Sequence, residues 1–432
     1  MSMSTLLILF LVAVVVSIVI NYKTGINLGI PALIFAYVIG CWLLKMRVKE
    51  VVACWPTSTL FQMMMITMFF SFGVFNGTMN KLAMIMLYKM RKIPSLLPFV
   101  LFVIGTIIGI LGAPPPAVCT IMSVLTFSLA RPAGLNPWLC LIVTALGGST
   151  GTFFPWAVQG SVIKTTTEGM IEGMGERVGY SAAVGYFIFM VIMLLIYWII
   201  TKGYKLKPVE MEKPEPMDPK QRTTLTIIII VALLAIIPNF LKLLMPTSAF
   251  IKTISGPLDI QMLAVVGTFV CGILKLGDVK DAITKGIPWN TVFLIAGICT
   301  LINVVSSAGL TEWLGAQLKD SVSPSIIIVI FALLAAFMSL FAGAINAVFP
   351  MLAAIAVPYA AAAGISASPM LVAIAVGASA TAVSPFSTGG SLAIANCTDE
   401  TMRDGLFMKE IILAVTGAVL CAILGLVGVF NI

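Results

Sequence analysis

The sequence predicts an all-α polytopic membrane protein made of two inverted repeats. Its 432 residues are 60% apolar and only 10% charged, with a mean hydropathy of +1.11, whereas charged residues make up about a quarter of an ordinary soluble chain. Two long apolar stretches are interrupted near their middles, and the second half of the chain repeats the pattern of the first. The net charge of +8 is spread without basic clusters, which excludes a nucleic-acid-binding face.

The same composition argues against an enzyme, a disordered regulator and a metal or redox centre. Histidine is absent, and the eight cysteines stand singly without a CxxC pattern. We therefore expect no cofactor and no enzymatic activity, and cysteines that pack as small apolar side chains. Residues 1–20 have no basic start and no small-residue cleavage site, which predicts a retained first span and not a signal peptide.

Eight apolar runs have the length of ordinary spans, since about 20 helical residues cross a bilayer core of about 30 Å. They lie near residues 4–20, 27–44, 60–78, 181–201, 223–245, 258–274, 290–309 and 406–430. Two further stretches, 93–163 with one charge and 321–398 with none, are too long for a single crossing. Each is predicted to form a re-entrant hairpin followed by a discontinuous helix. The hairpins are predicted at 96–129 and 324–361, and the discontinuous helices at 137–163 and 368–395.

An internal repeat supports this division. When the chain is shifted by 230 positions, twelve residues between Ala117 and Ser161 recur unchanged without a gap. Each half then holds five spans and one hairpin. An odd number of crossings inverts the second copy relative to the first, which is typical of secondary transporters. The predicted units are 1–201 and 223–432, joined by a charged, proline-rich cytoplasmic linker at 202–222.

Basic residues predict the orientation in the inner (cytoplasmic) membrane. With the linker in the cytoplasm, 17 of the 25 Lys and Arg residues lie on the inner side, where loops are enriched in positive charge. Both termini are then outside. The first hairpin enters from the cytoplasm and the second from the outer side. Lys45, Arg47 and Lys49 do not fit this orientation, because it places them on the outer side.

The interruptions predict an internal binding site, because non-helical backbone is tolerated in a bilayer only beside protein or a wet cavity. Pro116 is predicted to begin a helix after the first hairpin tip, and Asn346 to cap the helix after the second. The discontinuous helices are predicted to break at 147–152, restarting at Pro155, and at 377–381. The second restart is predicted to use Ser384 as N-cap and Pro385 as the first helical residue.

Four helix starts would then meet near mid-membrane. Each carries a positive dipole end of about half an elementary charge, so their nominal sum of about +2 matches a dianion. The candidate substrate-binding residues lie at or beside these starts: Pro116, Ala117, Ser149, Thr150, Thr152, Asn346, Ala347, Ser384, Ser387 and Thr388.

The carbonyl ends of the preceding half-helices suit Na⁺. The candidate Na⁺ ligands are Gly147, Ser149, Asn346, Gly377, Ser379 and Thr381. A proton-coupled carrier is expected to hold a titratable group at its site, yet neither break contains Asp, Glu, His or Lys. The sequence therefore favours Na⁺ as the coupling ion.

The second break resembles a motif of the ion transporter superfamily, which includes the divalent-anion/sodium symporters. Residues 378–390, ASATAVSPFSTGG, are similar to that family's second broken helix, and Asn346 stands where relatives carry Ser-Asn-Thr at a hairpin tip. The chain is most similar to the branch of malonate and C4-dicarboxylate carriers. This resemblance implies a homodimer working as an elevator, in which the hairpins move with spans 4, 5, 9 and 10 against a scaffold of spans 1–3 and 6–8.

The expected function is secondary active transport of small organic dianions such as malonate, succinate or malate, coupled to Na⁺ in a lipid bilayer. Residues 115–117, Pro-Pro-Ala, depart from the Ser-Asn-Thr of sodium-coupled relatives, so one Na⁺ site loses its amide ligand. Exchange of anions without a coupling cation therefore stays open. Two further alternatives are the membrane subunit of a tripartite carrier that needs a binding protein, and a non-transporting sensor or channel.

Overall fold

The structure is a computed structural model that describes residues 2–90, 93–208, 212–244, 253, 258–310, 313, 324–340, 343–397 and 399–432. Over these residues the chain is helical and contains no β-strand. Eight of the described helices are long and apolar enough to cross a membrane, or nine if a bent pair counts as one span. The prediction of an all-α, multi-pass membrane protein is confirmed.

The first half of the chain forms nine main helices over its described residues. They are α1 (Met3–Thr24), α2 (Gly29–Leu43), α3 (Thr57–Phe75), α4 (Thr78–Met90), α5 (Leu97–Ile110), α6 (Pro115–Ala133), α7 (Pro137–Phe153), α8 (Val158–Met170) and α9 (Gly175–Ile200). Helices α2 and α7 contain π-helical turns, at Val38–Leu43 and Ile142–Leu146. The four spans predicted in this half correspond to α1, α2, α3 and α9.

The second half forms eight main helices over its described residues. They are α10 (Pro219–Leu244), α11 (Ile260–Ile273), α12 (Trp289–Ser306), α13 (Pro324–Ser339), α14 (Ala344–Ala363), α15 (Ser368–Ala380), α16 (Thr388–Ala395) and α17 (Leu406–Leu426). Helix α10 begins inside the predicted linker, of which residues 206–208 and 212–218 are not helical. Residue 245, the predicted end of a span, and residues 341 and 342, inside the second predicted hairpin, lie outside the described residues.

Helices of the two halves cross at glycines that bring their backbones into contact. A Cβ atom on Gly29 of α2 would lie 1.8 Å from the carbonyl oxygen of Phe293 in α12, and one on Gly297 would lie 2.0 Å from the Gly29 carbonyl oxygen. Neither position has room for a side chain. Helix α11 packs along α3 with Gly267 against the ring of Phe69. Helices α1, α2 and α12 enclose a separate buried cluster with one face of α14.

The segments predicted as hairpins form two helix pairs, α5–α6 and α13–α14. The first arm of each pair packs on the broken helix of its own half, α5 on α7 and α13 on α15. The second arm packs on the helix that follows the break in the other half, α6 on α16 and α14 on α8. Each hairpin is therefore held by both halves of the chain, and both tips are brought next to both breaks.

Positions 230 apart share local backbone geometry. Gly134 and Gly364 end α6 and α14 with φ of 71° and 67°, in the left-handed region where glycine is favoured. A Cβ on Gly160 or Gly390 would lie 2.0 or 2.2 Å from the carbonyl oxygen of the residue six positions earlier. Glycine is therefore required for the same reason at both members of each pair, a positive φ at the first pair and close backbone contact at the second. The inverted relation between the halves remains a prediction.

Candidate functional site

A cavity of about 490 Å³ lies where the two hairpin tips meet the two breaks. Its wall includes residues 114–117 of the first tip, 343–346 of the second, Val158 and Gln159 at the start of α8, and residues 386–389 at the start of α16. The opposite wall comes from α1, α3 and α12 and the segments around them. The structure thus brings all four helix starts to one space.

Glycine and proline set the first tip. Gly112 has a φ of +89°, and a Cβ there would lie 2.1 Å from a phenylalanine ring of α3, so only glycine fits. Pro114 is the N-cap and Pro115 the first residue of α6, where a missing N–H costs nothing. The helix therefore starts one residue before the predicted Pro116. The Ala117 N–H donates to the Pro114 carbonyl oxygen at 2.9 Å, so residues 114–117 offer no free N–H.

The second tip is capped by a backbone carbonyl and not by an asparagine side chain. The N–H groups of Ala347 and Val348 donate to the Gly343 carbonyl oxygen at 2.9 and 3.1 Å. The prediction of Asn346 as N-cap is wrong, because Gly343 takes that position and Asn346 lies in the π-helical turn after it. Its Oδ1 atom is buried without a hydrogen-bond partner among the described residues, and the residue lines the cavity. An unpaired buried polar atom costs about 1–3 kcal/mol, which makes Asn346 a candidate ligand.

The first break lies later than predicted. Residues Gly147–Thr150 are α-helical and Gly151–Phe153 form a 3-10 turn, so α7 continues through the predicted interruption. The chain breaks at 154–157, α8 starts at Val158 and not at Pro155, and the two helices are bent by 48°. Gly147, Gly148 and Gly151, in the predicted interruption, instead allow neighbouring helices to pack closely.

Gln159 lines the cavity and was missed by the sequence analysis. It is the second residue of α8, and its Oε1 lies 2.6 Å from the Thr152 hydroxyl, which also reaches the Ser149 carbonyl oxygen at 2.6 Å. With Oε1 engaged, the side-chain amide nitrogen is available as a donor. The signal was a polar residue just after the break, one position beyond the true helix start.

The second break also lies later than predicted. Helix α15 ends at Ala380, so most of the predicted break at 377–381 is its last turn, and the interruption spans 381–387. Ser387 is the N-cap, since its hydroxyl accepts from the Gly390 N–H at 3.2 Å. The assignment of Ser384 and Pro385 to this helix start is therefore wrong. The Ser387 hydroxyl also donates to the Ala382 carbonyl oxygen at 2.5 Å, which fixes the cap at this position.

Six of the ten predicted substrate-binding residues line the cavity, and four do not. The six are Pro116, Ala117, Ser149, Asn346, Ser387 and Thr388. The other four do not line it: Thr150 is fully buried, Thr152 bonds to Ser149 and Gln159, Ala347 joins the cluster of α1, α2 and α12, and Ser384 accepts from the Phe386 N–H.

Of the six predicted Na⁺ ligands, two line the cavity and four do not. Ser149 and Asn346 line the cavity, whereas Gly147 and Gly377 pack against neighbouring helices. The Ser379 hydroxyl is buried and has no partner among the described residues. Thr381 belongs to a cluster of oxygen atoms beside the cavity.

That oxygen cluster lies where α13 and α15 cross. The hydroxyls of Ser339 and Thr381 contact each other. The Thr381 hydroxyl reaches the Ala336 carbonyl oxygen at 2.9 Å, and the Ser339 hydroxyl reaches that of Ala378 at 2.5 Å. Ser339 also lines the cavity. Hydroxyl and carbonyl oxygens are ligands that hard cations accept, so these four residues form a candidate cation site.

The first half has no such cluster at the equivalent crossing. The positions 230 earlier than Ser339 and Thr381 are Gly109 and Gly151. Their backbones are in contact, since a Cβ on Gly109 would lie 2.9 Å from Gly151. Two glycines supply no side-chain oxygen, so the hydroxyl pair is present in the second half alone.

Lys285 is the one charged residue among the described residues that line the cavity, and it was missed at this site because it lies before α12. Its side chain is 68% exposed and pairs with Asp281 at 2.8 Å. The hydrogen bond to Asp281 raises the pKa of Lys285 above its ordinary value, so the ammonium stays charged at neutral pH. The four helix starts favour an anion in the cavity, and Lys285 adds a positive charge that Asp281 partly balances.

Solved structures share this fold. MtrF of Neisseria gonorrhoeae, from a class of antimetabolite efflux pumps, aligns with a TM-score of 0.61 and 15% identity over 99% of this chain and 95% of its own. The YdaH transporter of Alcanivorax borkumensis aligns with a TM-score of 0.53 and 15% identity over 87% and 86%. None of the curated protein sequences compared with the chain matches it.

Two family models match the chain, one in each half. Residues 1–152 match the N-terminus of the dicarboxylate carrier protein MatC, and residues 250–431 match the citrate transporter family CitMHS. Both models describe carriers of one superfamily, and between them they include the first hairpin tip, the second hairpin and the second break. Each half of the chain is therefore similar to a carrier family of the ion transporter superfamily.

Proposed function

We propose that the protein is a secondary active carrier of small organic dianions, such as malonate, succinate or malate. The observation that carries this proposal is the meeting of four helix starts in one cavity whose described lining holds a lysine and no carboxylate. The matching families are named for a dicarboxylate carrier and a citrate transporter. Both names refer to substrates with several carboxylates.

The four helix starts differ in what they offer an anion. The first N–H groups of a helix have no intrahelical acceptor, so α8, α14 and α16 present donors as well as a positive dipole end. The start of α6 supplies the dipole without donors, because residues 114–116 are prolines. We therefore infer that substrate carboxylates bind mainly at Asn346, Ser387 and Thr388, and that the Gln159 amide is a further donor. The cavity volume is within the usual range of about 300–1,000 Å³ for small-molecule sites.

We further infer that Na⁺ is the coupling ion and that one ion binds in each cycle. The oxygen cluster of Ser339, Thr381 and two carbonyls supports a cation site in the second half. The first half has Gly109 and Gly151 at these positions and prolines at its tip, so it lacks the side-chain ligands for a second, equivalent site. Binding of one Na⁺ per cycle is consistent with both the two glycines and the prolines of the first half.

An elevator movement in a homodimer is proposed for transport across the membrane. Helices α5–α9 and α13–α17 would move as one unit, because each hairpin packs on the broken helix of both halves. The cavity lies between this unit and a wall that includes Met63 of α3 and Thr291 of α12. Sliding along that boundary would open the cavity to one side of the membrane at a time.

The test is uptake by the purified chain reconstituted alone in proteoliposomes. Malonate, succinate, malate, citrate and sulfate are supplied with Na⁺, Li⁺ or choline outside. Saturable uptake driven by a Na⁺ gradient, with a Hill coefficient for Na⁺ of about 1, supports the proposal. Uptake that requires an added binding protein identifies a tripartite carrier. Uptake in choline that requires anion inside the vesicles identifies an exchanger, and flux that does not saturate identifies a channel.

Site variants sharpen this test. Asn346→Ala removes an amide from the cavity and should raise the substrate concentration for half-maximal uptake. Thr381→Ala should instead raise the Na⁺ concentration for half-maximal uptake at saturating substrate. Ser384→Ala is the matched control, because its hydroxyl does not line the cavity. Equal kinetics in all three variants would contradict the assigned site.

A further inference from the structure

Glu410 is a carboxyl group buried in a membrane helix without a partner. It lies in the second turn of α17 and is 0% exposed. Neither carboxylate oxygen has a hydrogen-bond partner among the described residues. Glu410 lies outside both sequence breaks, so it was not among the predicted site residues.

The Glu410 carboxyl group touches the second broken helix. A Cβ on Gly390, in the first turn of α16, would lie 2.7 Å from Oε2 of Glu410. The preceding residue, Gly389, lines the cavity, and its carbonyl oxygen accepts a hydrogen bond from the Cys119 thiol of the first hairpin at 3.4 Å. Glu410 is therefore one residue behind the cavity wall, at a point where α6, α16 and α17 meet.

The nearby basic side chains are engaged elsewhere. The Lys409 ammonium donates to the Gly405 carbonyl oxygen at 3.2 Å and lies 6.0 Å from the centre of the Trp138 ring. Arg403 lies 3.9 Å from a carboxylate oxygen of Glu400. Arg131 pairs with Asp399. None of the described ion pairs includes Glu410.

The helices packed against α17 supply no positive charge near Glu410. Helices α13, α15 and α16 contain no charged or titratable residue. Glu176 and Arg177 lie at the far end of α9, where Ser181 bonds to the carbonyl oxygen of Ile432 beyond the other end of α17. The remaining titratable side chains of α6, α7, α9 and α17, together with Cys397, are thiols and phenols, which are never cationic: Cys119, Cys140, Cys397, Cys421, Tyr180, Tyr186 and Tyr197.

We propose that Glu410 is a proton-binding site of the carrier. A buried carboxylate without hydrogen bonds or a cation is costly, and binding a proton removes the charge. In this conformation Glu410 therefore carries its proton, and it releases H⁺ to water when α16 moves and the carboxyl group becomes hydrated. The site rests on the proposed transport function and deepens it, since H⁺ would then accompany Na⁺ and the dianion.

The experiment compares wild type, Glu410→Gln, Glu410→Asp and the exposed control Glu172→Gln in proteoliposomes. One pH unit changes the ratio of protonated to ionised carboxyl about tenfold, so net uptake by wild type should fall as the external pH is raised. Glu410→Gln should give a flat profile while still exchanging external labelled anion for internal unlabelled anion. Glu410→Asp should keep a pH dependence, and Glu172→Gln should follow wild type. The substrate ionises equally in all four experiments. A difference between the pH profiles of two variants therefore arises from the protein.

Infrared spectroscopy supplies a readout that does not depend on transport. Wild type should show the C=O stretching band of a buried protonated carboxyl, and Glu410→Gln should lack it. Absence of that band from wild type, or identical pH profiles in wild type and Glu410→Gln, would overturn the proposal. If wild type exchanges none of the anions, the transport function fails, and the infrared comparison still decides the protonation of Glu410.

Discussion

Replacing Gly151 with alanine tests the close contact that positions the first hairpin. Gly151 lies in the last turn of α7 where it crosses α5, and a Cβ there would lie 1.9 Å from the Thr106 carbonyl oxygen and 2.6 Å from the Ile110 nitrogen. Carbon and oxygen atoms in weak contacts stay about 3.3 Å apart, so the helices must separate by about 1.4 Å, the difference from 1.9 Å. Both obstructing atoms are backbone, and no rotamer change relieves the clash.

The consequences are a less stable protein and a displaced hairpin tip. Overpacking of this kind costs about 1–3 kcal/mol. Binding groups must be held within about 0.5 Å, and α5 leads directly into the tip at 114–117. We expect Gly151→Ala to lower the melting temperature. It should also raise the substrate concentration for half-maximal uptake about tenfold, equivalent to about 1.4 kcal/mol.

Gly169→Ala is the matched control for this substitution. Gly169 lies in α8, and no atom comes within 4 Å of an added Cβ. Alanine is the better helix former by about 1 kcal/mol, so this variant should melt at or above the wild-type temperature and transport normally. Thermal-shift measurements in detergent and uptake in proteoliposomes compare the two. If Gly151→Ala melts and transports like Gly169→Ala, the close crossing of α5 and α7 is refuted.

Three further substitutions probe other parts of the site. Gly377→Ala would place a Cβ 2.3 Å from a carbonyl oxygen of α13, so it should lower the melting temperature much as Gly151→Ala does; an unchanged melt would exclude that contact. Ser387→Ala removes the N-cap of α16 and should cost about 1 kcal/mol, seen as a lower melting temperature together with weaker substrate binding. Lys285→Gln should slow initial uptake at low ionic strength and approach wild type in high salt, because exposed charges are screened there; a salt-independent loss would point to direct contact.

Helix lengths and the two long apolar stretches were readable from the sequence because membrane helices must satisfy their own backbone. The helix pairs lie at 97–133 and 324–363, close to the predicted 96–129 and 324–361. At the first tip, Gly112 and three prolines leave the chain no helical alternative. The π-helical turn in α7 was not foreseen, because nothing in its apolar sequence differs from an ordinary helix.

The breaks were misplaced because glycine has two uses in a membrane helix. It interrupts helices, and it also allows close helix packing. Gly151 and Gly377 lie in helical turns that cross a neighbour, and only the neighbour reveals which use applies. Ser384-Pro385 and Ser387-Thr388 are both credible helix starts in sequence, and the Ala382 carbonyl oxygen near Ser387 decides between them.

Charge balance joins the proposed Na⁺ and proton sites in one further prediction. A dianion with one Na⁺ and one H⁺ on Glu410 carries no net charge. Moving an elementary charge costs about 2.3 kcal/mol per 100 mV, about a 50-fold difference in accumulation. Wild-type uptake should therefore be insensitive to a potassium diffusion potential set with valinomycin. In Glu410→Gln the load carries one negative charge, so an inside-negative potential should oppose uptake. Stimulation of wild type by that potential would show more than two coupling cations and refute the balance.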